Sequence, residues 1–461
     1  MRSTPGAIAF IELATRPVTR VRIFLILVAV VVAPQAVAGQ SKPTLTLAEA
    51  IERAERIQPR MVQAAGQVRT ADARVRSAKG AYLPDLNFST SARESYTEGE
   101  RADVTTGQIL AANSSTTSLN TSVNTSIELF DGFRRGAESR AARANRESAA
   151  EGFEDARYQQ QLATTNLYFD VLAATQLVRV RETSVRRADE QLKASIARLR
   201  AGAAIRSDSL RSLVTLGNAR VQLINAQTQL ATAEANLGRL VGMEGPVGAV
   251  DDSSFYRLVT AVDSAAFRVE ALNRAPQVRV ADASARAARA AIGVARAGYW
   301  PTLTLDASNT LTGADQILRR SATVSDTSFR FNQQRQAAIR VSWPIFNRFT
   351  REQNISNQRA NAETAEANAG EARRLVVANL TTRLAELDAA RTRIGIAQTS
   401  LAAATEDLRV QQERYRLGVA TIVDVVTSQE ALAQAEVDEV TARFDYLRAK
   451  AQIQALIGRQ L

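Results

Sequence analysis

Polar side chains flank two glycines of this chain. Arg206 and Asp208 follow Gly202, while Tyr415 precedes and Asp424 follows Gly418. Guanidinium, phenol and carboxylate groups offer hydrogen bonding and charge. Nucleophilic and metal chemistry have little to work with. The chain has no His and no Cys, which excludes Ser-His-Asp and Cys-His triads, thiolate zinc sites and His-ligated metals. An enzyme would have to rest on carboxylates, Lys or Tyr alone. No phosphate loop of the form GxxxxGK[ST] and no cofactor signature occurs, so the chain reads as a protein without catalysis or cofactor. Asp208 and Asp424 also have a purely structural reading, because an acid in the first turn of a helix gains ~0.3–1 kcal/mol from the macrodipole.

The elements that position these residues are long helices. The 461 residues include 10 Pro and only 5% aromatics, and stretches rich in Ala, Arg, Gln, Glu and Leu point to helices packed side by side rather than to several globular cores. Basic residues number 58, of which 54 are Arg, against 47 acidic ones. The Arg residues are interspersed with Glu, Asp and Gln, so no basic patch forms and nucleic acid is not an expected partner. At the N-terminus, Arg16, Arg20 and Arg22 precede an apolar run from Ile23 to Ala33, then Pro34 and Ala36-Val37-Ala38. This reads as an export signal over residues 1–38, since the run is too short for a span that needs ~20 residues.

The rest is a duplication, residues 39–244 and 245–461. At a shift of 216 to 217, Pro59 meets Pro276, Tyr82-Leu83-Pro84 meets Tyr299-Trp300-Pro301, and Phe130-Asp131-Gly132-Phe133 meets Phe346-Asn347-Arg348-Phe349. Arg198, Arg200, Gly202, Ala204 and Asp208 meet Arg414, Arg416, Gly418, Ala420 and Asp424. Each half predicts a short helix capped by Thr46 or Asp263, a second helix opened by Pro59 or Pro276, and a long one over 137–201 or 351–416. A turn near 202 or 418 then leads into a last helix, 207–241 or 423–457. Leu216, Leu223, Leu230 and Leu237 recur every seventh residue, interleaved with Ala219, Ala226 and Ala233, which is a coiled-coil seam.

Four segments alternate instead with period two. In 119–129, Leu119, Val123 and Ile127 oppose Asn120, Ser122 and Asn124; 85–94, 302–312 and 337–345 behave alike. One face suits lipid and the other water, at the length of a tilted membrane strand. Polar loops are expected over 95–118 and 313–336. Four strands cannot close a barrel, and an open edge is not tolerated in lipid, so copies must combine: two give 8 strands, three give 12 with a lumen.

Together these features resemble the TolC-like outer membrane factor family. The run Tyr415-Arg416-Leu417-Gly418-Val419-Ala420-Thr421-Ile422-Val423-Asp424 is similar to that family's second hairpin tip, and Arg200-Ala201-Gly202 through Ser207-Asp208 to its first. The resemblance implies a mainly α protein with a small transmembrane β part. It implies a homotrimer whose 12-stranded outer-membrane β-barrel continues as a long periplasmic α-helical barrel. Function would be that of a passive exit duct for efflux or type I secretion, in contact with outer-membrane lipid, opened by a periplasmic adaptor and an inner-membrane pump. It further implies a gate in which Tyr415 contacts Asp208 and Asp424 rings the constriction. Ala420 and Thr427 stand where that pattern has charged residues, and Arg206 is the candidate for the missing charge. Gly202 and Gly418, where a side chain would crowd neighbouring turns, and the small Ala203, Ala204, Val419 and Ala420 would receive the adaptor. The alternative is a secreted structural coiled-coil protein without channel activity.

Overall fold

The structure, a computed structural model, describes residues 42–102, 109–111, 114–256, 264–318 and 330–459. The expected export signal and the Asp263 cap lie outside the described residues. Strand β1 (Thr44–Leu45) leads into α1 (Leu47–Ile57) and α2 (Pro59–Gly80). Thr46 and Glu49 form a reciprocal capping box on α1, and Pro59 occupies the first position of α2. Strands β2 (Asp85–Thr97), β3 (Glu100–Ala102), β4 (Ile109–Ala111) and β5 (Ser114–Phe130) follow, then α3 (Arg134–Arg200) and α4 (Arg206–Val241). The second repeat comprises β6 (Gly248–Ala249), α5 (Ser264–Arg274), α6 (Pro276–Arg296), β7 (Thr302–Leu318), β8 (Arg330–Ser342), α7 (Thr350–Arg416) and α8 (Ile422–Ile457). Helices α3 and α7 have 67 residues each, about 100 Å at ~1.5 Å per residue.

The main sheet is antiparallel in the order β2-β5-β7-β8, so the repeats meet at β5–β7 while β2 and β8 are free edges. Leu86 lies opposite Thr125, Phe88 opposite Val123, Ile127 opposite Leu305, and Leu305 opposite Ile339. One face is therefore apolar and exposed, with Phe88 at 68% and Ile339 at 67%. The opposite face carries Asp85, Asn87, Ser122, Asn124, Asp306 and Arg340, with Ser89 and Ser122 hydroxyls bonded at 2.8 Å.

Two expectations about the strands change. The ladder runs on through much of the segments read as polar loops, because Ser114 to Ser118 keep pairing beyond the apolar band; loss of apolar alternation marks the end of the lipid-facing zone, not of the strand. The last strand ends at Ser342 rather than at residue 345, where Pro344 has no N–H for the ladder.

The helices form a layer in which α2 packs on α3, α3 on α6, and α6 on α7, with α4 and α8 paired to α3 and α7. Neighbours are joined by Arg–acid pairs: Arg146–Asp72 (3.0 Å), Arg286–Glu147 (2.7 Å) and Arg373–Asp282 (2.6 Å). This accounts for interspersed Arg, although each exposed pair contributes only ~0–1 kcal/mol. The large core residues sit at mid-height, where Tyr168, Phe169 and Phe255 make edge-on contacts and Phe444 meets Phe169 at a tilt. The Tyr168 hydroxyl donates to the Leu45 and Val250 carbonyls at 3.1 and 2.6 Å, and burial pushes its pKa up to about 12.

Candidate functional site at the hairpin tips

Helix α3 ends at Arg200, and Gly202 turns the chain with φ +74°. Its N–H donates to the Leu199 carbonyl (3.0 Å) and that of Ala203 to Arg198 (2.9 Å). Gly418 (φ +79°) repeats the pattern after α7, donating to Tyr415 (3.1 Å), with Val419 donating to Arg414 (2.9 Å). These bonds satisfy helix-end carbonyls. A Cβ at either glycine would meet no atom within 4 Å. Glycine is needed within the chain for its left-handed backbone, not for want of space, which corrects the crowding expectation.

The tips then diverge. Thr421 caps α8: its N–H and hydroxyl donate to Asp424 Oδ2 at 2.7 and 2.8 Å, and the Asp424 N–H donates to Thr421 Oγ1 at 3.4 Å. The backbone bond from Thr421, then its hydroxyl, holds the exposed Asp424 carboxyl below its ordinary range. At the first tip the cap position is Ile205, which makes no side-chain bond. Arg206 is exposed and Asp208 half-buried in the first turn of α4. Ala203 and Val419 are exposed, Ala204 and Ala420 half-buried. Ile205, Leu417 and Val419 also stand out into solvent, so the tip surface is larger and more apolar than the small residues alone suggest. Large apolar side chains beside a turn glycine were the available signal.

Tyr415 is buried at 8%, yet its hydroxyl has no hydrogen-bond partner. The expected bond to Asp208 is therefore absent within the chain. Arg198 takes its place, lying 4.3 Å from the Tyr415 ring centroid and donating to the Tyr415 carbonyl, a cation–π contact that ties α3 to α7. Farther from the tips, Arg187 forks onto Glu436 of α8 (2.8 and 2.6 Å). Sequence reading gave neither arginine a contact, Arg198 serving there only as a repeat marker, because their partners lie more than 200 residues away.

The seams inside the hairpins differ too. Between α7 and α8, Leu408, Tyr415, Ile422, Val425 and Leu432 form an apolar cluster. Between α3 and α4 the corresponding depth holds Leu216, the counterpart of Leu432, but also Gln191, Ser195 and Ser212, with the serine hydroxyls bonded at 2.9 Å; the second seam has one such bond, Ser428 to Asp407 at 2.5 Å. Gln429 faces the first hairpin, buried, with neither amide atom bonded. The described residues contain no group of three or more acids that could hold a metal ion.

No described helix is long and apolar enough to cross a membrane, while the sheet has one apolar and one polar face and leads into the long helices, the architecture of an outer-membrane channel with a long periplasmic helical extension. The chain belongs to the Outer membrane efflux protein family, whose model matches residues 50–243 and 268–459, one segment in each repeat. That family consists of channel proteins, and the reading as a secreted coiled-coil protein falls away. Among similar proteins, "Outer membrane efflux protein BepC" of Brucella suis is 25% identical over 94% of this chain and 91% of its own length. "Protein CyaE" of Bordetella pertussis is 25% identical over 84% and 78%. A solved structure of CusC superposes with a TM-score of 0.73 at 18% identity, covering 90% of this chain and 92% of that one.

Proposed function

We propose that three copies join β8 of one to β2 of the next, closing a 12-stranded barrel whose helices continue as a periplasmic tunnel. The tunnel serves as the passive exit duct of a tripartite efflux or type I secretion system. One observation carries this: the sheet has an exposed apolar face and two unpaired edges, a combination that lipid does not tolerate in a single chain. Native mass measurement in detergent should give three chains per particle; a monomer with intact strand signal would refute it.

The tips are the docking end. A periplasmic adaptor, itself bound to an inner-membrane pump, meets Gly202, Ala203, Ala204, Gly418, Val419 and Ala420, with Ile205 and Leu417 enlarging the apolar surface. Leu417→Asp with Val419→Asp should abolish export and leave trimer and membrane insertion intact.

The gate lies at the same level. Arg206, Asp208 and Asp424 supply its charge, and Tyr415 is held by Arg198 rather than by its hydroxyl. In planar bilayers Arg198→Ala should raise conductance while Tyr415→Phe leaves it unchanged. If Tyr415→Phe alone opens the channel, the hydroxyl has a partner in the assembly and the original Tyr415–Asp208 scheme is restored.

A further inference from the structure

Where the sheet hands over to the helices, the second repeat contains a cavity of about 540 Å³, lined by Arg296, Tyr299, Trp300, Trp343, Glu352 and Arg359. The lining includes both tryptophans of the protein. Trp343 lies one residue beyond β8, in the alternation register of Ile339 and Val341 on the apolar face. Its indole N–H donates to the Tyr299 carbonyl at 3.2 Å. Trp300 and Trp343 are 52% and 58% exposed, as amphipathic rings are where hydrocarbon meets water.

The charges in the cavity do not cancel. The Glu352 carboxylate is engaged by Arg351 at 3.1 Å, and that guanidinium stacks 4.1 Å from the Tyr299 ring centroid. Arg296 and Arg359 are exposed and have no acidic partner among the described residues. Two free guanidinium groups sharing a cavity with two indoles, at the end of the sheet's apolar face, suit one chemistry: a phosphodiester joined to apolar chains.

We infer that this cavity binds the headgroup of a phospholipid from the periplasmic leaflet. Arg296 and Arg359 hold the phosphate, Trp300 and Trp343 flank the glycerol, and the acyl chains run along Val341 and Ile339. The first repeat offers a comparison within the same chain. Lys79, Tyr82, Leu83, Ile127, Gly136 and Arg143 occupy the equivalent positions. The cations persist, the indoles do not, and Arg143 is tied to the Ser139 carbonyl and hydroxyl at 3.2 and 3.1 Å. The site therefore occurs once per chain. It depends on the outer-membrane location, not on the proposed gate or docking.

Because both tryptophans line the cavity, the fluorescence of the full protein in detergent reports on it directly. Titration with dihexanoylphosphatidylethanolamine should give a saturable spectral shift, with dihexanoylglycerol producing none and inorganic phosphate binding more weakly. Arg296→Gln with Arg359→Gln should weaken the lipid response about tenfold, the scale of a lost charge-assisted bond, whereas Lys79→Gln with Arg143→Gln should not. Should the double variant fail to assemble, Arg359→Lys, which keeps the charge and loses the fork, should still weaken binding. An equal response to the phosphate-free lipid, phosphate binding as tightly as the lipid, or unchanged affinity in the assembled arginine variants would overturn the assignment. Co-fractionation with outer membranes, measured separately, tells its failure from a failure of the location.

Discussion

The two helical hairpins have equal lengths and the same glycine turn, yet they are held together differently. The second is zipped by Leu408, Val425 and Leu432 and capped by the Thr421–Asp424 box. The first has bonded serines in the seam and Ile205 at the cap position. A seam of small polar groups is short-ranged and directional, whereas apolar burial tolerates displacement. One duplicated frame thus contains two hairpins that share Leu216 or Leu432 and a seam serine, Ser212 or Ser428, and differ in the added apolar cluster of the second and the serine pair of the first.

The largest test of this contrast is Leu408→Ala, since its counterpart in the first repeat, Leu192, is only half-buried. It should cost the second hairpin ~2–5 kcal/mol, read as faster amide hydrogen exchange near that tip. Replacing both Ser195 and Ser212 by Ala removes both partners of their bond but takes the acceptor from the buried Gln191 amide, which donates to Ser195 Oγ at 3.4 Å, and should cost the first hairpin less, ~1–3 kcal/mol. Equal losses in the two hairpins would erase the distinction.

The glycines should behave alike. Gly202→Ala and Gly418→Ala should each cost ~1 kcal/mol through the left-handed backbone alone. A larger loss at Gly418 in the assembled protein would reveal a neighbour that the single chain lacks.

The caps can be exchanged. Thr421→Ala should destabilise the second tip by ~1 kcal/mol, and Ile205→Thr should stabilise the first by a similar amount by pairing with Asp208. Unchanged exchange at the first tip would mean that Asp208 cannot reach the new cap.

The smallest effect concerns pH. Asp424 has a folded pKa below its ordinary 3.8, so its contribution is complete above that value and is lost as pH falls through the folded pKa. Protection at the second tip should decline in that acid range, and Thr421→Ala should remove the decline.

Much of the fold was legible because it depends on local periodicity. Heptads gave the α4 seam, where Leu216 and Leu237 are buried, and period-two alternation gave the apolar face of the sheet. Boundaries slipped where polarity and pairing part company, as at Ser114. The candidate site was legible only in outline. Gly202, Gly418 and Asp424 act on residues within three or four positions, and sequence finds such neighbours. The contacts of Tyr415 depend instead on which helix face meets which across the layer.

The chain by itself therefore determined the duplication, the helix and strand types and the turn glycines, since each follows from spacing within a few turns. Tertiary structure alone decided that Tyr415 meets Arg198 rather than Asp208, that Arg187 forks onto Glu436, and that both tryptophans share a cavity with Arg296 and Arg359. Such contacts arise from the rotation and stagger of packed helices, and a shift of one residue turns a helical side chain by about 100°. No local pattern encodes that angle.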